Sequence, residues 1–149
     1  MIKANIILDK KIWNKKIKNP DNYFKKKLAK LSKLKNFKNI NQEFTVLLTN
    51  NKKMRELNTK FRNKKKETDV LSFPLKMSLE KETYIGDIAI SFEIINKRSK
   101  YSNFNLELDK MWIHGYLHLV GFDHQNNLDH KIMTKKEIMI LKKLNRINW

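Results

Sequence analysis

Only five of the 149 residues are glycine or proline: Pro20, Pro74, Gly86, Gly115 and Gly121. A chain this poor in breakers has no Gly/Pro/Ser-rich linker to separate two folding units. It also shows no internal repeat. Its length lies near the usual domain size of roughly 100–150 residues. The expectation is one domain over residues 1–149. Such a domain buries roughly two thirds of the surface its unfolded chain exposes, so it needs no covalent staple. With no Cys, it can have none. That absence fits a reducing compartment. It also excludes Cys-ligated zinc, iron–sulfur clusters and a thiol nucleophile. Any metal must be held by His, Asp or Glu.

The five breakers punctuate a mixed pattern. Strands are expected at 5–8, 43–49, 69–73 and 84–91, the third stopped by Pro74 and the last two forming a hairpin. Residues 11–35 read as one or two basic helices interrupted at Asn19-Pro20. Pro20 suits a first helical turn, and Asp21 adds favourable charge there. Asn50 or Asn51 can cap a helix carrying Met54, Leu57 and Phe61 at spacings of three and four. Residues 92–101 read as helical. So do 106–120, with Leu106, Met111, Trp112, Leu117 and Val120 as apolar positions and Gly121 ending the helix. Asp129 can cap a last helix with Ile132, Met133, Ile140, Leu141 and Leu144 facing the core. Interspersed strands and helices argue a mixed α+β or α/β domain with a small sheet. The longest uninterrupted apolar run is 138–141, far short of the ~20 residues that span a bilayer. The apolar stretch at 6–8 is too short for a signal-peptide core. A cytoplasmic protein is expected.

The net charge of +18 is unevenly placed. Residues 1–66 hold 21 Lys/Arg against 4 Asp/Glu, and residues 67–149 hold 12 against 11. A one-sided positive field attracts polyanions and makes binding salt-sensitive. RNA, DNA or an anionic membrane surface are the candidate partners. The competing account is compositional: 29 Lys, 18 Asn and 16 Ile can all be written with A/T-rich codons. Drift does not easily explain the balanced second half.

Three of the four histidines fall within eleven residues. His114 and His118 stand at i and i+4 and project from one helix face. Gly121 permits a turn that no residue with a Cβ takes cheaply, bringing His124 back towards them. Three imidazoles around one point leave a fourth tetrahedral position open, the layout of a catalytic rather than a structural zinc site. The spacing H-x3-H-x2-G-x2-H matches the metzincin signature, but Gly115 stands where those peptidases carry their Glu base. His130 lies outside the pattern and reads as a surface residue. Asp123 can orient a ligand His, hold the turn through local backbone N–H groups, or assist proton transfer.

The segment 114–124, H-G-Y-L-H-L-V-G-F-D-H, resembles the H-G-x-L-H-L-x-G-Y-D-H signature of the YbeY family of bacterial rRNA maturation factors. Leu57-Asn58, Phe61-Arg62 and the run 68–74, T-D-V-L-S-F-P, resemble the family's L-N-x-x-Y-R…T-D-V-L-S-F-P. Residues 86–91, G-D-I-A-I-S, resemble its G-D-I-x-I-S, and Met133 and Glu137 also fit. The departures are Phe122 and Phe61 for Tyr, and Glu67 where Pro is common. The match runs over about 54–141. The resemblance implies a single α+β domain, a small mixed sheet of about four strands packed with about five helices, and a metal site at the end of a central helix. It implies Zn2+ on His114, His118 and His124. It further implies a metal-dependent endoribonuclease directed at single-stranded RNA, acting in 16S rRNA 3′-end maturation and ribosome quality control. His114 and Arg62 match the family's functionally important pair. rRNA and the ribosomal particle or its assembly factors are the implied partners.

A bound divalent ion can polarise a phosphoryl oxygen and acidify water. The attacking oxygen is then either water's or the substrate's own 2′-OH. Arg62 is the candidate phosphate clamp, because its planar fork meets two phosphate oxygens at once. It opens the strongest basic stretch, 62–66. Its structural alternative is an ion pair with Asp69 or Asp87. Ser72 and Asp69 read as structural, and Phe61 and Phe73 as core. Two rival functions remain: a non-catalytic, metal-stabilised ribosome-assembly factor, and a metzincin-like metallopeptidase.

Overall fold

The computed structural model describes residues 1–63, 68–75 and 83–147. Among the described residues, four strands form one mixed sheet: β1 (Ile2–Leu8), β2 (Gln42–Thr49), β3 (Val70–Pro74) and β4 (Tyr84–Ser91), in the order β1-β2-β4-β3. β2 pairs parallel with both β1 and β4, and β3 closes the edge antiparallel to β4. Five α-helices accompany them among the described residues: α1 (Pro20–Lys33), α2 (Asn51–Arg62), α3 (Phe92–Arg98), α4 (Phe104–Leu119) and α5 (Asn127–Asn145). The architecture is α+β, as the sequence suggested.

Two-residue alternation sets the faces of the sheet. Phe44, Val46 and Leu48 of β2 and Ile88 and Ile90 of β4 point into the main core with Trp13, Phe24, Leu28, Trp112 and Tyr116. Parallel strands need a crossover, and α1 supplies the first, turning Phe24, Leu28 and Leu31 inward at helical spacing. On the opposite face Met54 and Leu57 of α2 cover Leu47, Leu71 and Ala89. α4 lies against β3 and β4 and is buried nearly all round, the pattern of a central helix. Its Asp109, fully buried, accepts from the Tyr23 hydroxyl at 2.7 Å and from Trp112 Nε1 at 2.9 Å, and pairs with Lys27 at 2.7 Å. That cluster ties α1 to α4. Burial, and then the Asp109 carboxylate, push the Tyr23 phenol far above its ordinary value. Among the described residues no helix is long and apolar enough to cross a membrane.

Asparagines cap four helices. Asn19, Asn50, Asn103 and Asn126 each accept a backbone N–H three residues on. Such caps satisfy donors that a helix start leaves open. Several local expectations are corrected here. Of the one or two basic helices expected over 11–35, the piece before Pro20 is a short 3-10 helix at Lys11–Lys15 and the piece from Pro20 is α1. β1 begins at Ile2, which is buried. The last helix is capped by Asn126, and Asp129 supplies the N–H that the cap receives. Ile132 points outward, 47 % exposed. Phe61 does not enter the core: it is 57 % exposed and meets the half-buried Phe73 edge to face. Of the basic stretch 62–66, residues 64–66 lie outside the described residues, as does Glu67.

Candidate active site

α4 presents His114 and His118 one turn apart on one side, and the chain then reverses. The reversal is a paired-bond helix stop: the Gly121 N–H reaches the His118 carbonyl at 3.1 Å and the Phe122 N–H the Leu117 carbonyl at 2.9 Å. Gly121 sits at φ +103°, a conformation that suits glycine. The turn carries His124 back over the helix end. Its ring centre lies 5.0 Å from that of His118 and 5.7 Å from that of His114.

One ligand atom from each of the three histidines lies within 4.8 Å of the others, a group that could hold a metal ion. Nε2 of His114 and Nε2 of His118 face each other at 3.1 Å. Two nitrogens on one tetrahedral ion, each about 2.0–2.1 Å from it, would stand about 3.3 Å apart. The His114–His118 pair therefore fits two corners of a tetrahedral imidazole site, and His124 lies within reach of a third. Burial first, then the neighbouring His114 and His124, lowers the His118 pKa and keeps that ring neutral, the form a metal requires. The His114 ring is anchored from behind. Its Nδ1 meets Glu137 Oε1 at 2.6 Å across the α4–α5 packing. A carboxylate on Nδ1 fixes which nitrogen of His114 carries the proton and leaves Nε2 free as a donor to a metal. Glu137 matched a family position in the sequence, but nothing there revealed this contact.

The histidines open into a cleft of about 640 Å³, lined also by Arg62, Thr68, Asp69 and Ser72. Arg62, at the last turn of α2, donates from Nη2 to the Ser72 carbonyl at 3.0 Å, which lays the guanidinium along the β3 edge. One of its five N–H groups is used there. Asp69, one of the two ion-pair alternatives, pairs instead with Arg98 at 2.7 Å, while its other oxygen accepts the Val70 N–H. Asp87, the second, accepts from the Tyr84 hydroxyl. Ser72 is structural: buried, its hydroxyl donates to the Gly115 carbonyl at 3.2 Å. Asp123 takes the turn-holding role among its alternatives. Its Oδ1 accepts the His124 N–H at 2.8 Å, which chiefly holds the carboxyl below its ordinary range. His130 is exposed and stands outside the group.

Gly115 separates this site from the peptidases that share its spacing. A Cβ built there would lie 2.9 Å from Ile88 Cγ2. The position is packed against Ile88 of β4, and glycine offers no group to act as a base.

A family model described as Endoribonuclease YbeY matches residues 8–145. The chain belongs to the YbeY family. Among its relatives, Endoribonuclease YbeY of Pelagibacter ubique is 42% identical over 146 residues, covering 95% of both chains. The protein of the same name from Ehrlichia canis is 35% identical, covering 97% of this chain and 93% of its own. A solution structure from Thermotoga maritima superposes with a TM-score of 0.65 at 26% identity, covering 97% of this chain and 89% of that one. The YbeY signature blocks converge in space. The T-D-V-L-S-F-P strand and the L-N-x-x-F-R helix end supply one wall of the cleft, and the H-G-Y-L-H-L-V-G-F-D-H segment supplies the other.

Proposed function

We propose that this chain is a metal-dependent endoribonuclease that cuts single-stranded RNA, acting in maturation of the 16S rRNA 3′ end and in ribosome quality control in the cytoplasm. The observation that carries the reading is one cleft holding the three imidazoles and the Arg62 guanidinium. The relatives' shared name, Endoribonuclease YbeY, points the same way. The working unit is one domain over residues 1–149, with RNA and ribosomal particles as its partners.

His114, His118 and His124 would hold one Zn2+, which supplies Lewis acidity towards a phosphoryl oxygen. Arg62 binds the phosphodiester through its remaining N–H groups, with charge and planarity matched to two oxygens. Glu137 keeps His114 in the tautomer that offers Nε2. Gly115 leaves the cleft without the base a peptidase needs, which disfavours protein hydrolysis.

The test is cleavage of a 16S 3′-precursor fragment by wild type and His114→Ala, purified in parallel with bound metal quantified. The expected result is cleavage by wild type alone with about one ion per chain, set by three imidazoles around one point. Equal cleavage by both proteins would overturn the reading. An Arg62→Lys variant that cleaved as fast as wild type would remove the clamp.

A further inference from the structure

Phe61 departs from its helix's pattern in a way that has a use. It is 57 % exposed, and its neighbours are apolar too: Ile7, 51 % exposed, and the half-buried Leu47 and Phe73. Together they line a depression of about 440 Å³ on the sheet face turned away from the main core. Phe61 and Phe73 meet edge to face, ring centres 5.3 Å apart. Lys60 Nζ stands 5.3 Å from the Phe61 ring centre. Thr45 and Asp87 border the hollow with polar atoms, and Tyr84 links them.

The hollow and the cleft draw on adjacent residues of the chain. Phe61 and Arg62 are consecutive, and so are Ser72 and Phe73. Arg62 and Ser72 line the histidine cleft, whereas Phe61 and Phe73 line the depression. The two hollows therefore lie on opposite faces of β3, which is the edge strand of the sheet, so a strand of RNA could pass from one to the other around that edge. We infer that the depression is a base-stacking subsite for a nucleotide flanking the phosphate held by Arg62. This rests on the RNA reading above and deepens it. Aromatic faces accept any nucleobase, and a nearby cation favours the adjoining backbone. The surplus of Lys and Arg over residues 1–66 supplies the complementary field. A base in a duplex is already stacked and cannot enter, so the subsite would select unpaired RNA.

The experiment uses the full-length, metal-loaded chain and a fluorescent single-stranded oligoribonucleotide, alone and as a series with one abasic position each. Phe61→Ala should weaken binding about tenfold, the effect of losing one stacked base. One abasic position should weaken wild-type binding similarly, and that position alone should cause no further loss in Phe61→Ala. Phe61→Trp should bind like wild type, as should Tyr101→Ala, an exposed aromatic on another element. Binding by Phe61→Ala equal to wild type, or a loss that multiplies with that of every abasic position, overturns the subsite and leaves the nuclease reading standing. A wild type that binds no single-stranded RNA removes that reading and the subsite with it.

Discussion

At the scale of single residues, the site depends on what stands behind the histidines. Glu137 orients His114 through one hydrogen bond from a helix 23 residues away in sequence. Glu137→Gln should weaken metal binding by about 10–100-fold, measured by competition with a chromophoric chelator, while the fold is kept because residue 137 is only half-buried. Gly115 makes the opposite point. In a free helix Gly→Ala gains up to about 1 kcal/mol. Here the new Cβ meets Ile88, a fully buried, β-branched side chain with little rotamer freedom. Gly115→Ala should lose about 1 kcal/mol of stability by urea unfolding, since overpacking costs roughly 1–3 kcal/mol. The histidine triad was legible in the sequence because i, i+4 spacing and a glycine stop are local rules. The Glu137 contact was not, because it is made only once two helices cross.

At the scale of elements, the docking of α1 on α4 is concentrated in Asp109. Its removal would leave Lys27, Tyr23 and Trp112 facing an apolar gap. Asp109→Ala should therefore cost about 3–5 kcal/mol, the range for breaking a buried ion pair from one side, read as a shift in the urea midpoint. Strand positions and the order of helices follow from alternation and helical spacing, and β4 has the bounds that its alternation predicts. The caps are harder to read. In a chain with 18 asparagines nearly every connection holds a possible cap. Asn126 and Asp129 compete because both residue types suit the role, and the two side chains bond each other. Spacing puts Phe61 on the core-facing side of α2 because spacing specifies a helix face. It does not say how far the covered sheet extends beneath that face.

At the scale of the whole molecule, the question is whether the positive half of the chain acts as an RNA-tracking surface. Some of its lysines have structural partners: Lys27 pairs with Asp109, and Lys30 donates to the Leu144 carbonyl. If about four cations contact phosphates, log affinity for single-stranded RNA should fall with log salt at a slope near −3, and a flat response in a KCl titration would assign the surplus to composition alone. Composition could not decide this, since Lys enrichment reads the same whether selected or drifted. Above all, one ion on His114, His118 and His124 should be what makes the cleft a nuclease. Stripping the protein with a chelator, adding Zn2+ back in fractions of an equivalent and following cleavage of the 16S 3′-precursor fragment at each step puts that to the test. Activity should be absent without metal, rise linearly and break at one ion per chain. Cleavage that persists in the stripped protein, or none from a folded protein carrying its full ion, would contradict it.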